Sequence, residues 1–110
     1  MEGKSFNIIY LEKAIFFINK QSSEVQSAIY TTIDEAKKRM DKKLLKKLVG
    51  TNIWEFRTKY NGIEYRLLAF WDKKKKSFVV ATNGFIKKSQ KTPQKEIEKA
   101  ERIRKQYYEQ

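Results

Sequence analysis

The dipeptide Asn61-Gly62, set between WEFRTKY and IEYRLLAFW, restricts the fold more than any other local feature of the chain. A two-residue type I′ turn needs positive φ at both central positions, and Asn-Gly meets that need at little steric cost. The chain is therefore expected to reverse here as a hairpin. With Tyr60 opposite Ile63, Lys59 faces Glu64, Thr58 faces Tyr65 and Arg57 faces Arg66. Alternation then assigns Trp54, Phe56, Thr58, Tyr60, Ile63, Tyr65, Leu67 and Ala69 to a face that helices cover, which makes Tyr65 a packing residue. Glu55, Arg57, Lys59, Glu64, Arg66 and Leu68 fall on the other face, which is expected to stay open. Like charges directly opposite one another destabilise an antiparallel pair. Two facing arginines therefore need diagonal compensation by Glu55 and Glu64, or an anionic ligand.

The segments around the hairpin fill in the architecture. Residues 6–10 are β-rich, and a helical pattern follows to about Asn19. The break at Gln21-Ser22-Ser23, with Ser23 and Gln26 spaced as a capping box, starts a second helix antiparallel to the first. Val25, Ile29, Ile33, Ala36 and Met40 are its expected core stripe, and Lys37, Lys38 and Arg39 load its C-terminal end, where cations suit the macrodipole. KKLLKKLV, residues 42–49, reads as a short amphipathic turn or helix closed by Gly50; its Lys46 and Lys47 either contact phosphate or point to water. Strand-like runs at 53–60, 63–71 and about 77–85 form a meander. A last helix starts at Pro93 with Thr92 as N-cap and buries Ile97, Ala100 and Ile103. The order β-α-α-β-β-β-α describes an α+β sandwich, with two N-terminal helices and a C-terminal helix packed on one face of a small antiparallel sheet.

The 110 residues suit a single domain, 1–110. The chain has no cysteine and no histidine, which removes disulfides, thiolate chemistry and the commonest catalytic base and metal ligand. Glu12 and Lys13 interrupt the apolar opening and no small-residue cleavage site follows, so neither a leader nor a membrane span is expected, and a cytoplasmic location is. Charge is uneven: residues 1–36 hold three basic and five acidic side chains, while 37–110 hold 22 and eight. Residues 73–95 carry eight lysines and no carboxylate, a field suited to a polyanion such as nucleic acid. Solvated lysine is the competing reading. A membrane surface fits less well, because no basic amphipathic helix lies outside the predicted core. The loop GFIKKSQKTP sends Lys87, Lys88 and Lys91 toward one end of the sheet; with Arg57 and Arg66 they make five cations near one open face, an arrangement that asks for phosphate. Free N–H groups of the last helix's first turn would add to it. Tyr60 and Phe85 are candidate platforms for an unpaired base, with core packing as the alternative for both.

The succession LVGTNIWEFRTKYNGIEYRLLAFW, then a strand and GFIKKSQKTPQKEIEKAERIRKQY, resembles the phage-derived branch of the RelE/HigB toxin superfamily of type II toxin–antitoxin modules. WEFR, EYR and GFIKKSQKTP followed by EIEKA carry the resemblance, which covers nearly the whole chain. It implies one RelE-like toxin domain acting as an mRNA endoribonuclease on ribosome-bound message. It also implies that no cofactor or metal is needed, and that a cognate antitoxin, often with a helix-turn-helix domain, restrains the toxin. The family's arginines on the central strands correspond to Arg57 and Arg66, and its basic residues near the following loop to Lys87, Lys88 and Lys91. Lys46, Lys47 and Lys59, with Tyr60 and Phe85, are further expected RNA contacts. Some branches use histidine; here proton transfer falls to lysine, a carboxylate, or no side chain at all.

In such a reaction the RNA 2′-hydroxyl attacks the adjacent phosphate, giving a 2′,3′-cyclic phosphate and a 5′-hydroxyl. Arg57 and Arg66, uncovered and side by side, are expected to stabilise the phosphate oxygens. Lys87 or Lys88 is the expected base, in a cluster whose neighbouring cations favour a neutral amine. Relief of like-charge strain predicts that alanine at position 57 or 66 leaves stability unchanged or higher. Two other readings stand beside this one: a basic RNA- or ribosome-binding module without catalysis, and an inactive homologue acting through protein interaction. Charge alone does not separate binding from cutting.

Overall fold

The computed structural model describes residues 5–110; the first four residues of the segment read above for a leader lie outside them. The elements are β1 (Asn7–Tyr10), α1 (Glu12–Asn19), α2 (Ser23–Lys38), β2 (Leu45–Lys47), β3 (Trp54–Tyr60), β4 (Ile63–Trp71), β5 (Phe78–Lys87) and α3 (Gln94–Glu109). Asn61 and Gly62 have φ of 51° and 77°, and the hairpin register pairs Arg57 with Arg66 and Tyr60 with Ile63, as expected. The sheet runs β1-β5-β4-β3-β2. The α+β order therefore holds, with one short strand added.

That added strand is the first departure. Residues 45–47 form no helix but an edge strand antiparallel to β3, with Leu45 opposite Phe56 and both buried. A helix here would leave the outer edge of β3 without partners; instead the Leu44 carbonyl accepts from the Arg57 N–H at 2.8 Å and the Leu48 N–H donates to Ile53 at 2.8 Å. The second departure is that β1 pairs parallel with β5, so the sheet is mixed. The third is the placing of helices on both faces. α1 lies on β5 and α2 on β3, each touching the sheet more than its neighbour, over a core that includes Phe17, Ile29, Ile33, Phe56 and Leu67. α3 covers the opposite face over Ile53, Leu68, Phe70 and Val80, with its own Ala100 buried among them. The run Leu67 to Trp71 is apolar on both sides of the pleat, which suits a strand sheltered on both faces.

Smaller shifts have local causes. Ser22 rather than Ser23 caps α2, its Oγ accepting from the Val25 N–H at 3.2 Å while Gln26 Nε2 donates back to the Gln21 carbonyl at 2.9 Å. α2 ends at Lys38, which leaves Met40 outside the stripe and exposed. Thr82 is an extra residue in β5, between the partners of Leu68 and Ala69, and its hydroxyl donates to the Leu68 carbonyl at 3.2 Å. Beside it Asn83 Nδ2 donates to Glu96 Oε1 at 3.2 Å, fixing the first turn of α3 to the sheet. Among the described residues no helix is long and apolar enough to cross a membrane.

The far end of α3 is fixed by Asp72. The Tyr107 hydroxyl donates to Asp72 Oδ2 at 2.6 Å, and the Lys74 and Lys75 N–H groups donate to Oδ1 at 2.8 and 2.9 Å. The Tyr107 hydrogen bond, then the backbone donors, hold the Asp72 carboxyl below the usual carboxylate range; the same bond pushes the Tyr107 phenol up to about 12. Stability contributed by a carboxyl with a depressed folded-state pKa is present above its unfolded value of about 3.9 and is lost as pH falls through the folded value. Tyr107→Phe is therefore expected to cost about 1.5–3 kcal/mol at neutral pH, the range of a hydrogen bond to a charged group. The gap from wild type should narrow as urea melts are repeated at successively lower pH. A second expectation concerns Gly84, where an added Cβ would lie 2.2 Å from Phe17 Cδ2 in the buried ring. Gly84→Ala should lower stability by about 1–3 kcal/mol by overpacking, and Phe17→Leu in the same chain should recover part of the loss.

Candidate nucleic-acid interface

α3 covers only part of its face of the sheet. Beyond its N-terminus a cleft of about 560 Å³ opens between β2, β3 and the loop after β5. Lys46 and Lys47 line it from β2, Arg57 from β3, Lys87 from the end of β5 and Lys91 from the loop, while Gln94 and Ile97 form the helix wall. Five of the cations read from the sequence thus meet around one opening. Lys46 stands opposite Glu55 and shares the face of Arg57, whereas Lys47 stands opposite Trp54 and donates to the Thr51 carbonyl.

The acidic lining residue of the cleft is Glu55, only 4% exposed. Its Oε1 accepts from the Thr92 hydroxyl at 2.8 Å. Arg57 Nε lies 3.6 Å from Oε2, and Arg66 Nε lies 3.8 Å from Oε1. The last two are ion pairs beyond hydrogen-bond length. Glu55 thereby faces two guanidiniums and ties β3 to Thr92, two residues before α3. Thr92 does not cap the helix as expected; Pro93 occupies the N-cap position and the threonine hydroxyl turns to Glu55 instead.

The two arginines have different fates, which corrects the expectation of an uncovered pair. The Arg57 side chain keeps 30% exposure, and among the described residues no hydrogen bond takes up its terminal nitrogens. The Arg66 side chain is 3% exposed. Its Nη2 pairs with Glu64 Oε1, its Nη1 donates to the Tyr65 carbonyl at 3.4 Å, and its buried Nε has no hydrogen-bond partner. Its neighbour on β5 is Phe85, itself buried, so apolar cover reaches across the strand to enclose it. Arg66 borders a smaller hollow of about 250 Å³ on the hairpin side, which Arg57, Lys43 and Lys59 also line. The Glu64 carboxyl sits below the usual range because Arg66 bonds it and adds its charge, with smaller contributions from Lys87 and Lys59.

Other expected contacts lie elsewhere. Phe85 belongs to the core under α3, and Tyr60 packs against the core on the opposite face, so neither presents a stacking surface to the cleft. Lys59 is exposed opposite Glu64. Lys88 is exposed one residue past β5, at an opening by the hairpin tip rather than in the cleft. Sequence reasoning missed the joint placement of Glu55 and Thr92. A signal was present: Glu55 stands opposite Leu68 in the hairpin register, and a carboxylate across from a large apolar side chain is a candidate for burial.

A basic cleft at the edge of a C-terminal helix, on a mixed sheet backed by two N-terminal helices, defines a RelE-like α+β fold. E. coli toxin RelE, solved in the free state as an arginine-to-alanine double mutant, superposes with a TM-score of 0.56 at 18% identity, covering 73% of this chain and 81% of that one. A chain of the intact E. coli RelBE toxin–antitoxin complex superposes with a TM-score of 0.58 at 18% identity, covering 77% of this chain and 100% of that one. No curated protein matches the sequence. Residues 16–105 match the family described as Phage derived protein Gp49-like (DUF891), and the chain belongs to it.

Breaking a buried ion pair leaves its partner uncompensated, whereas a partly exposed pair contributes little. Arg66→Ala is therefore expected to destabilise the protein by about 3 kcal/mol or more. Arg57→Ala should stay within about 1 kcal/mol of wild type. Denaturant melts of the two variants check this, and equal effects would contradict the asymmetry described.

Proposed function

We propose that the chain is the toxin of a type II toxin–antitoxin module, an endoribonuclease that cuts mRNA on the ribosome in the cytoplasm and needs no metal. The observation that carries the reading is the convergence of Lys46, Lys47, Arg57, Lys87 and Lys91 on one cleft, with Arg57 turned by a buried carboxylate. The RelE-like fold and the family membership support it. The RelBE complex, in which RelE's fold is solved with an antitoxin, supports a cognate antitoxin as partner, and we expect one with a helix-turn-helix domain.

RNA brings its own nucleophile, so the protein must hold and polarise the phosphate and move protons. The 2′-oxygen bonds to phosphorus as its proton leaves, the bond to the 5′-oxygen breaks, and that oxygen takes a proton. In the cleft, Arg57 faces the non-bridging oxygens, where charge grows in the transition state. Lys46, Lys47 and Lys91 neutralise the strand and fix its path. Lys87 stands where the cleft meets the hairpin tip and is the candidate to move the proton, with Lys88 outside it. Arg66 acts on Arg57 through Glu55 and does not touch RNA; it is a positioning residue.

One observation favours a second reading, a basic RNA-binding module that does not cut. The cleft's carboxylate is buried against Arg57 and Thr92, which leaves lysine alone for proton transfer. Translating ribosomes incubated with the protein, followed by mapping of new 5′ ends, separate the two. The expected result is new 5′-hydroxyl ends with wild type and a rate lower by about 10²–10³-fold with Arg57→Ala, the usual cost of one such donor. RNA binding by wild type without new ends would establish the binding module instead.

A further inference from the structure

The hollow of about 250 Å³ on the hairpin side of Arg57 plays no part in the mechanism above. Alternation along β3 puts Glu55, Arg57 and Lys59 on one face, shared by their partners Leu68, Arg66 and Glu64. Each step from one to the next is about 6.7 Å along the strand. Hollow and cleft therefore lie on the same face of β3, and Arg57 lines both. Lys43 reaches the hollow from the chain entering β2, where the Leu44 carbonyl accepts from the Arg57 N–H at 2.8 Å and so sets residue 43 beside the outer edge of β3. Lys43 and Lys59 are exposed, and among the described residues no hydrogen bond or ion pair takes up either ammonium group. Arg66 and Glu64 are bonded to each other and offset one another's charge. That leaves Lys43 and Lys59, with the outer nitrogens of Arg57, to meet an anion.

The lining also says which anion fits. Thr58 completes it and turns its hydroxyl to Thr32 on the opposite face, so no apolar side chain borders the hollow. The volume lies below the range of ligand pockets, about 300–1,000 Å³. A nucleobase finds no surface there. An acidic protein segment brings apolar residues to the centre of its interface and finds none to meet them, whereas a backbone phosphate needs only charge and N–H donors. The step from Arg57 to Lys59 is also of the order of the spacing between successive phosphates of an extended single strand. We propose that the hollow is a second phosphate subsite, holding the phosphodiester next to the one in the cleft, with Lys43 and Lys59 as its ligands and Arg57 shared between the two. This rests on the RNA reading of the cleft. Two adjacent phosphates held on one rigid strand fix the path of the RNA past Arg57.

A 2′-O-methyl trinucleotide carries two adjacent phosphodiesters and no nucleophile, so it reports binding alone. Replacing one phosphodiester by a neutral methylphosphonate leaves a single charge. Wild type is expected to bind the singly charged trimer about tenfold more weakly than the intact one, the scale of one hydrogen bond to a charged group. Its slope of log affinity against log salt should also be shallower by about 0.7, the value for one phosphate of a single strand. The Lys43→Gln/Lys59→Gln double variant should bind both trimers alike, with wild-type urea melts because both lysines are exposed. A double variant that still separates the two trimers as wild type does overturns the subsite; if Arg57→Ala weakens binding of both, the cleft reading stands without it. A double variant that keeps wild-type affinity for both trimers but loses affinity for an oligoglutamate peptide assigns the hollow to an acidic protein segment and overturns the subsite likewise. Failure of wild type to bind the intact trimer overturns both readings.

Discussion

A carboxylate 4% exposed persists in a sheet only if its surroundings supply charge and hydrogen bonds, and Glu55 has two guanidiniums and a threonine hydroxyl. Burying charge costs several kcal/mol per ion before any pairing, so this cluster is weak evidence for stability. Its effect is on placement. Through Thr92 it ties β3 to the segment that leads into α3, and through Arg57 it holds one of the cations that line the cleft. Both consequences follow from one side chain on β3.

Where α3 begins also decides how its face of the sheet is divided. Ile53, Leu68, Phe70 and Val80 lie under the helix, while Arg57, Lys46 and Lys87 line the cleft beside its first turn. Asn83 holds the near end of the helix through Glu96, and Asp72 holds the far end through Tyr107. Phe70 packs against Tyr107 and Tyr108 with ring centroids 5.3 and 5.7 Å away, so the helix cannot slide without losing both. The cleft wall is therefore part of the packed fold, and cations held there in advance need little ordering when an anion arrives.

The parts of this arrangement that are legible in the sequence are those set by local chemistry. Asn61-Gly62 dictates the turn, and the turn dictates every pair from Trp54–Ala69 to Tyr60–Ile63. The period of Val25, Ile29, Ile33 and Ala36 marks one core face of α2 for the same reason. β1 lies beside β5 across most of the chain, and no local pattern announces a partner so remote. KKLLKKLV has the composition of an amphipathic helix, yet the open edge of β3 draws it into a strand. Sign and face together bring Arg57, Lys87 and Lys91 to one end of the sheet, where all three line the cleft. They do not locate Phe85 or Arg66, whose burial depends on which face α3 chooses, and the polar half of the hairpin gives no hint of that choice. The apolar run LLAFW does, because a strand with one wet face has no use for Leu68 and Phe70.

The facing arginines are reconciled by unequal surroundings. Arg66 lies between β3 and β5 in the interior of the sheet, flanked by Phe85 and bonded to Glu64, whereas Arg57 has only the short edge strand β2 beyond it. Glu55 meets the Nε side of each guanidinium with a different oxygen, so the repulsion between them acts across a shared negative charge. The interior arginine is satisfied by the protein, and the outer one, held by a single ion pair, keeps its terminal nitrogens for solvent or an anion. Exchange of the two roles would expose Arg66 only by unpacking Phe85 and the helix above it. A symmetric pair in the sequence is in this way an asymmetric one in the fold, a buried cation and a partly exposed one on either side of a shared carboxylate.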